Sequence, residues 1–242
     1  MAESAFAAHV DAAVHAAHPD YIALIVVASG IANGPSDPAS DEQLAAAEGH
    51  LRASGLERAT DHPHIAAWRA AFSAFGAKPS RYPSSAEALI ARVLKGQPLP
   101  RVNALVDLYN AVSVRHIVPV GGEDADRLEG PLRLTVAAGD EPFDPPGDGS
   151  AVEPVSAGEI VWRDDRGVTC RRWNWRQGRR TQLTDDTTRA FFVFDRLEGL
   201  TVDELDAAAA QLSGLLRDRW PECRLERLER RGIKPTPIPS TR

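Results

Sequence analysis

The residues best suited to chemistry lie in an arginine- and tryptophan-rich segment in the second half of this 242-residue chain. Trp162, Trp173 and Trp175 are interleaved there with seven arginines: Arg163, Arg166, Arg171, Arg172, Arg176, Arg179 and Arg180. Guanidinium groups bind phosphates through paired hydrogen bonds, and indole rings stack on nucleobases. The segment therefore predicts an RNA-binding surface. The alternative is a solvated polar edge over buried indoles, with the aspartates of the same region neutralising the charge.

The expected conformation of this segment divides its side chains between two faces. If residues 170–175 are extended, alternate side chains point in opposite directions. Arg172, Asn174 and Arg176 then share a face that meets the substrate, and the two tryptophans between them pack into the core. Together with Arg171, these three residues are predicted to bind substrate or RNA.

A second group of candidates lies on a strongly apolar stretch, residues 102–115, which predicts a helix. Asp107 and Asn110 are three positions apart and should share a face of it. The amide of Asn110 offers donors and acceptors that suit an amino acid or a terminal ribose. Alternatively, Asn110 ends the helix and Asp107 pairs with an arginine. Asn103 is interpreted as structural.

Arg81 is a further candidate, because it lies in a turn between Pro79 and Pro83. The prolines reduce the entropy lost in holding the side chain, so Arg81 is predicted to anchor a phosphate or carboxylate. Two histidines, His62 and His64, are too little evidence for a metal site. The chain has no nucleophile elbow, P-loop or dinucleotide fingerprint, so we expect no metal and no cofactor.

The composition is that of an ordinary globular protein, with 43% hydrophobic residues and a net charge of -6. This charge argues against coating a nucleic-acid lattice, and DNA is not an expected partner. Cys170 and Cys223 are too far apart to suggest a zinc site or a disulfide framework. Residues 1–18 lack the features of a secretory signal, and the longest apolar run, residues 22–28, is too short to span a bilayer. The sequence therefore predicts a cytoplasmic protein without membrane contact.

The elements that must position these candidates change from helices to strands near residue 120. Helices are predicted at residues 4–17, 41–53, 63–75, 84–95, 102–115 and 201–217. Strands are predicted at residues 21–28, 132–137, 159–163, 168–173, 190–194 and 224–228. No linker marks the change. We therefore expect one α+β domain over residues 1–232, followed by a disordered tail at residues 233–242.

The helix with Asn103, Asp107 and Asn110 resembles the N-x-x-V-D-x-x-N stretch of the B3/B4 domain of the phenylalanyl-tRNA synthetase β subunit. The similarity continues through Pro119 and Asp124. Free-standing members of that family are similar at Lys78-Pro-Ser-Arg-Tyr-Pro, Gly158-Glu-Ile-Val and Cys170-Arg-Arg-Trp-Asn-Trp. The resemblance is a distributed pattern that covers roughly residues 20–215.

This resemblance implies a layered β/β/α sandwich and contact with the aminoacylated 3′ end of tRNA. In the synthetase, the domain hydrolyses tyrosine wrongly attached to phenylalanine tRNA. The function implied here is therefore trans-editing, the hydrolysis of misacylated tRNA by a separate protein that is not a complete tRNA ligase. Two alternatives stay open. One is a non-catalytic tRNA- or RNA-binding module, and the other is a protein that binds a free amino acid or another small molecule.

The chain departs from the synthetase pattern at two places that bear on catalysis. The family has a histidine two residues beyond the matched proline, whereas Pro119 is followed here by Val120 and Gly121. His116 lies on the other side of that proline. The editing carboxylate of the family aligns with Phe194, next to Asp195. Tyrosine specificity is therefore unsupported. Four residues remain as catalytic candidates: Asn110, Asp107, His116 and Asp195.

Overall fold

The computed structural model describes residues 6–147 and 151–231. These residues form six α-helices: α1 (Ala12–Ala17), α2 (Pro38–Ala53), α3 (Pro63–Ala74), α4 (Ser85–Leu94), α5 (Ala104–His116) and α6 (Val202–Arg219). They also form eleven strands: β1 (Ala8–Val10), β2 (Ile22–Ser29), β3 (Val120–Asp124), β4 (Leu132–Val136), β5 (Pro142–Phe143), β6 (Glu153–Pro154), β7 (Ile160–Arg163), β8 (Val168–Arg171), β9 (Arg176–Gln177), β10 (Arg189–Arg196) and β11 (Arg224–Arg231). The helices and strands pack as one α+β unit.

The central layer is an antiparallel sheet with the strand order β11-β2-β10-β3. Its two inner strands are apolar runs, which is the pattern of strands buried on both faces. On β10, Phe192 and Phe194 face α5 and α6, while Phe191 and Val193 face the other sheet. Each of these phenylalanines is fully buried and stabilises the fold by about 1.5–3 kcal/mol.

The second sheet has seven strands in the order β1-β4-β7-β8-β5-β6, and β9 also pairs with β8. Its inner face packs on the central sheet through Leu134, Trp162 and Cys170. With α5 and α6 on the opposite face of the central sheet, the layers are sheet, sheet and helix. The predicted β/β/α sandwich is confirmed.

Helix α5 is the most buried of the six described helices, because ten of its thirteen residues are buried. Its first turn is capped by Asn103, whose side chain accepts a hydrogen bond from the Val106 amide. This is the structural role that the sequence predicted for Asn103. The helix ends at His116, and the next residue, Ile117, has a left-handed φ of 52°. Pro119 then leads into β3, the edge strand of the central sheet, which agrees with the expectation that a proline disfavours a central position there.

Two predicted elements differ in the structure. Residues 8–10 form a strand paired in parallel with β4, so the predicted helix at 4–17 is reduced to α1. The alanine-rich sequence permits a helix there, but pairing with β4 satisfies the backbone. Residues 172–173 are not extended, because both have left-handed φ values, 45° and 64°. The tail at 233–242, predicted to be disordered, lies outside the described residues. No helix within the described ranges is long and apolar enough to cross a membrane.

Candidate active site

A cavity of about 220 Å³ lies between the two sheets, at the open edge of β3. The central sheet, the second sheet, α5, the first turn of α4 and the turn at residues 172–175 all contribute to its wall. A volume of about 220 Å³ is below the size of most drug-like pockets and suits a group of the size of one amino acid.

The register of β3 and β10 fixes the floor of the cavity. Gly121 is paired with Val193, and both point into the cavity. Side chains two positions away on a strand share its face, so Glu123 and Asp195 point the same way. Asp195 is placed beside Pro119 by a backbone hydrogen bond, and the two carboxyl-bearing residues are therefore four positions apart along the ladder. At 3.3 Å per residue, their Cα atoms are separated by about 13 Å.

Asp195 is buried at one end of this floor, with 2% of its surface exposed. The Tyr21 hydroxyl donates to one carboxyl oxygen at 2.5 Å, and the Asn174 amide donates to the other at 3.2 Å. Burial raises the pKa of Asp195 to about 7, although both hydrogen bonds favour the charged form. Asp195 therefore exchanges a proton near neutral pH, as a general acid or base must.

Glu123 is buried at the other end of the floor. The Thr181 hydroxyl donates to its Oε2 at 2.5 Å, and interaction with the Thr169 hydroxyl also favours the charged form of this carboxyl. Burial raises the pKa of Glu123 to about 7. The charge of Arg180 opposes this shift, but Arg180 itself donates to Asp164.

Several polar side-chain atoms in the cavity wall, including the indole N–H of Trp162, lack partners among the described residues. Asn110 is only 8% exposed and its amide makes no hydrogen bond. Asn174 has a buried, unbonded Oδ1, and Ser85 has a buried, unbonded Oγ. Buried polar groups are nearly always hydrogen-bonded, so such a group in a cavity indicates a place for ligand atoms. The Ser85 amide donates to the Asn174 carbonyl, which joins α4 to the 172–175 turn.

The rest of the wall is mostly apolar and includes Tyr109, Trp162, Trp173 and Val193. Cys170 also faces the cavity, but burial raises the pKa of its thiol well above the usual value. Only the thiolate is a good nucleophile, so Cys170 is not suited to covalent catalysis here.

Four of the predicted site residues meet at this cavity. They are Asn110, Asn174, Arg176 and Asp195. Arg176 is the exposed member of this group, and its guanidinium lies 5.7 Å from the centre of the Trp175 ring. An arginine at the rim is placed to contact an anionic group outside the cavity.

Asp107 does not belong to the site, although it is three positions from Asn110. It accepts hydrogen bonds from the Ser40 hydroxyl at 2.9 Å and from the Val102 amide at 3.0 Å. It therefore joins α2 to the start of α5, whereas Asn110 faces β3. A spacing of three places residues on neighbouring parts of a helix surface, and here a different element covers each part.

His116 also lies away from the cavity, so it does not replace the family histidine. Its ring contacts the Gln211 side chain at 2.6 Å, on α6. His116 is the last residue of α5, and the chain reverses at Ile117 before β3 begins. The turn therefore separates His116 from the strand that forms the cavity floor.

The two central arginines of the predicted RNA-binding face have internal partners. Arg171 donates to both oxygens of Glu159, at 3.0 and 2.9 Å, and to Glu153 at 2.6 Å. The guanidinium of Arg172 lies 3.8 Å from the centre of the Tyr82 ring and 4.6 Å from that of Trp175. The prediction that Arg172 shares a face with Asn174 and Arg176 is wrong, because the left-handed turn breaks the alternation.

Arg81 is exposed and does not line the cavity. Its guanidinium lies over the ring of Tyr82, at 5.3 Å. Arg81, Asn110 and the arginine- and tryptophan-rich segment therefore do not all meet at one cavity. The segment reaches the cavity through Asn174 and Arg176, and the turn with Arg81 lies outside it.

Glu123 is the cavity residue that the sequence analysis missed. A carboxylate next to two glycines at a strand edge has no distinctive spacing, and its burial follows from pairing opposite Phe191. The available signal was the alternation of faces along β3, because Glu123 lies two positions after Gly121 and so points to the same side of the strand. Within residues 6–147 and 151–231, no group of three or more His, Cys, Asp and Glu side chains could hold a metal ion.

Comparison with known proteins shows the family of this chain. No curated protein matches the chain. It is similar to a solved structure, an N-terminal fragment of the phenylalanyl-tRNA synthetase β subunit from Pyrococcus horikoshii, at 12% identity and a TM-score of 0.49. The alignment covers 93% of this chain and 54% of that fragment, so the chain spans about half its length. A model of the B3/4 domain matches residues 67–211, which is more than half of the chain. The chain belongs to the B3/4 domain family.

Proposed function

We propose that this protein acts on tRNA, and that its cavity hydrolyses the ester between an amino acid and the terminal ribose of a misacylated tRNA. Membership of the B3/4 family supports the tRNA-related part. The hydrolytic part rests on one observation. Asp195, a buried carboxyl with a pKa of about 7, lies in an amino-acid-sized cavity with the unbonded amide of Asn110.

An aminoacyl ester is already activated, so the protein needs mainly to position water and stabilise charge. In its ionised form, Asp195 accepts a proton from a water molecule whose oxygen attacks the ester carbonyl. The Asn110 amide and the Ser85 hydroxyl can donate to the oxyanion. The C–O bond to the ribose then breaks, and the ribose oxygen takes up the proton. The products are a free amino acid and uncharged tRNA.

The test is deacylation of a panel of mischarged tRNAs by the purified protein. Asp195→Asn keeps the shape of the side chain but removes the base, and we expect the rate to fall by about 10²–10⁴-fold. Asp203→Asn, on the exposed first turn of α6, is the matched control and should keep the rate. No deacylation above the buffer rate at high protein concentration would end this proposal.

A second candidate is binding of a free amino acid, and it is favoured by the state of the arginines. Outside the cavity, Arg163, Arg166 and Arg180 pair with Glu141, Glu129 and Asp164 at 3.6, 3.0 and 2.7 Å. With a net charge of -6, little positive field is left for a polyanion. A thermal-shift screen separates the candidates, because a free amino acid that binds the native state raises the Tm without any tRNA. Binding of tRNA without deacylation would instead indicate a non-catalytic tRNA-binding module.

A further inference from the structure

The buried carboxyl groups of this protein fall into two sets. Most are ion-paired: Glu48 and Glu87 with Arg52 and Arg69, and Glu159 with Arg171. Asp124, Glu141 and Asp164 are likewise ion-paired, with Arg127, Arg163 and Arg180. Burying a carboxylate without a cation is costly, so this is the ordinary arrangement.

Within the described residues, three buried carboxyl groups have no ion-pair partner. Asp107 is held at the start of α5 by the Val102 amide and the Ser40 hydroxyl, where the helix dipole favours a negative charge. The other two, Glu123 and Asp195, both line the cavity. Among the described residues, the cavity is therefore the one place where buried carboxyl groups have neither a cationic partner nor a helix N-terminus beside them.

The two cavity carboxyls are not equivalent. Both oxygens of Asp195 are occupied, by Tyr21 and Asn174, and Asp195 has the proposed catalytic role. The hydroxyls of Thr181 and Thr169 both favour the charged form of Glu123, but it has no ion-pair partner among the described residues, and its side chain lines the cavity. A cation on the ligand would balance the charge of Glu123, at the end of the floor away from the proposed chemistry.

The surface between the two carboxyls is mostly apolar. Gly121 and Val193 form its floor and the ring of Trp162 lies in the wall, while the Gln177 amide beside Gly121 donates to the Gly122 carbonyl. A lysine side chain is a four-carbon stem that ends in an ammonium, which matches an apolar path that leads to a carboxylate. A hydrogen bond between two ionised groups is about twice as strong as a neutral one, so a cation suits Glu123 better than a hydroxyl does.

Resting on the proposed function, we infer that the cavity selects aminoacyl groups whose side chain ends in an ammonium or guanidinium group, and that Glu123 binds this cation. The ester then lies toward Asp195 and Asn110. The substrate class is a tRNA that carries lysine, ornithine or arginine, in preference to one that carries an uncharged amino acid of the same length.

The experiment compares deacylation of tRNAs that carry lysine, ornithine, arginine, norleucine or tyrosine. Norleucine is the matched control substrate, because it has the shape of lysine without the ammonium. We expect kcat/KM for lysyl-tRNA to exceed that for norleucyl-tRNA by about 10- to 100-fold. Glu123→Gln should abolish this preference, with a larger loss of kcat/KM for lysyl-tRNA than for norleucyl-tRNA. Glu129→Gln, an exposed charge change outside the cavity, should keep the preference.

A second measurement needs neither catalysis nor a variant. Free lysine or ornithine should raise the Tm of the wild-type protein more than norleucine does. Hydrolysis of tyrosyl- or norleucyl-tRNA as fast as lysyl-tRNA would overturn this inference and leave the proposed function standing. No hydrolysis of any tRNA, with a Tm increase for lysine that Glu123→Gln removes, would support the cation site and reject the hydrolase.

Discussion

The Tyr21 hydroxyl donates a 2.5 Å hydrogen bond to the Asp195 carboxyl across 174 positions of sequence. Tyr21 directly precedes β2, and Asp195 lies on β10, which pairs with β2 along its whole length. Tyr21 is fully buried, and burial together with the charge of Asp195 raises the pKa of its hydroxyl. It therefore stays protonated and serves as a permanent donor to Asp195.

Tyr21→Phe removes this donor and keeps the ring. Because the hydrogen bond favours the charged form of Asp195, its loss should raise the pKa of that carboxyl further. We expect the rising limb of the pH profile of kcat/KM for deacylation to move to higher pH. Tyr82→Phe, which alters a tyrosine outside the cavity, should leave the profile in place. An unchanged profile for Tyr21→Phe would show that the proton on Asp195 does not govern the rate.

Asp195→Asn should change the pH dependence of stability. The pKa of Asp195 is about 7 in the folded protein and 3.8 in its ordinary state. Between these values the folded protein binds more protons than the unfolded chain, so this group lowers stability as the pH rises from about 4 to 7. The Asn variant loses this penalty. Its Tm should exceed that of the wild type at pH 8, and the difference should shrink toward pH 5. A constant difference across this range would contradict the expectation.

His64 should have the opposite effect on the pH dependence. Its Nδ1 contacts the Ile117 carbonyl at 2.9 Å, and its Nε2 accepts from Trp68 and Leu197 at 3.0 and 3.2 Å. Burial lowers its pKa to about 4 from 6.5. The unfolded chain therefore binds a proton first, and stability is lost as the pH falls from about 6.5 to 4.

His64→Ala should destabilise the protein by about 2–4 kcal/mol at pH 7.5 and should flatten its pH dependence between 6.5 and 4. Urea denaturation at several pH values measures both effects. The control is His50→Ala, which removes an exposed histidine from α2 and should change neither quantity. If His64→Ala keeps the wild-type slope of stability against pH, then groups other than His64 cause that slope.

Arg171→Ala tests whether this arginine belongs to the fold or to an RNA surface. Its removal leaves Glu159 buried without its main partner, which should cost about 3–5 kcal/mol of stability. Arg166→Ala breaks an exposed pair with Glu129 and should cost at most about 1 kcal/mol. A folded Arg171→Ala protein of wild-type Tm that binds tRNA less tightly would restore the RNA-contact role.

Gly122 tests the packing between β3 and α5. A Cβ atom there would lie 2.9 Å from ring carbons of both Tyr109 and Phe192. Because both rings are buried, Gly122→Ala should destabilise the protein by about 1–3 kcal/mol. Gly214→Ala, on α6, meets nothing within 4 Å and should stabilise it by up to about 1 kcal/mol. Chemical denaturation of the two variants checks the opposite signs.

The sequence alone was sufficient to predict the helices and strands whose formation depends mainly on local interactions. The capping boxes and apolar spacing predicted α4 and α6 closely, and Ser84 and Thr201 cap them as expected. The apolar runs predicted β2 and β10, which bury both faces. The distributed B3/B4-like pattern predicted the sandwich. For the helices and strands the signal is a short-range preference that tertiary contacts reinforce, whereas the family pattern is spread along the chain.

Other outcomes depended on contacts between distant segments. Asp107 and Asn110 are neighbours on α5, yet α2 covers one and the cavity meets the other. Glu123 had no motif, and its role as a buried carboxyl arises because β10 and the second sheet enclose it. Composition and periodicity predicted most of the helices and the inner strands of the central sheet. Only the tertiary structure decided which polar side chains lose water without gaining a partner, because that depends on what packs against each face.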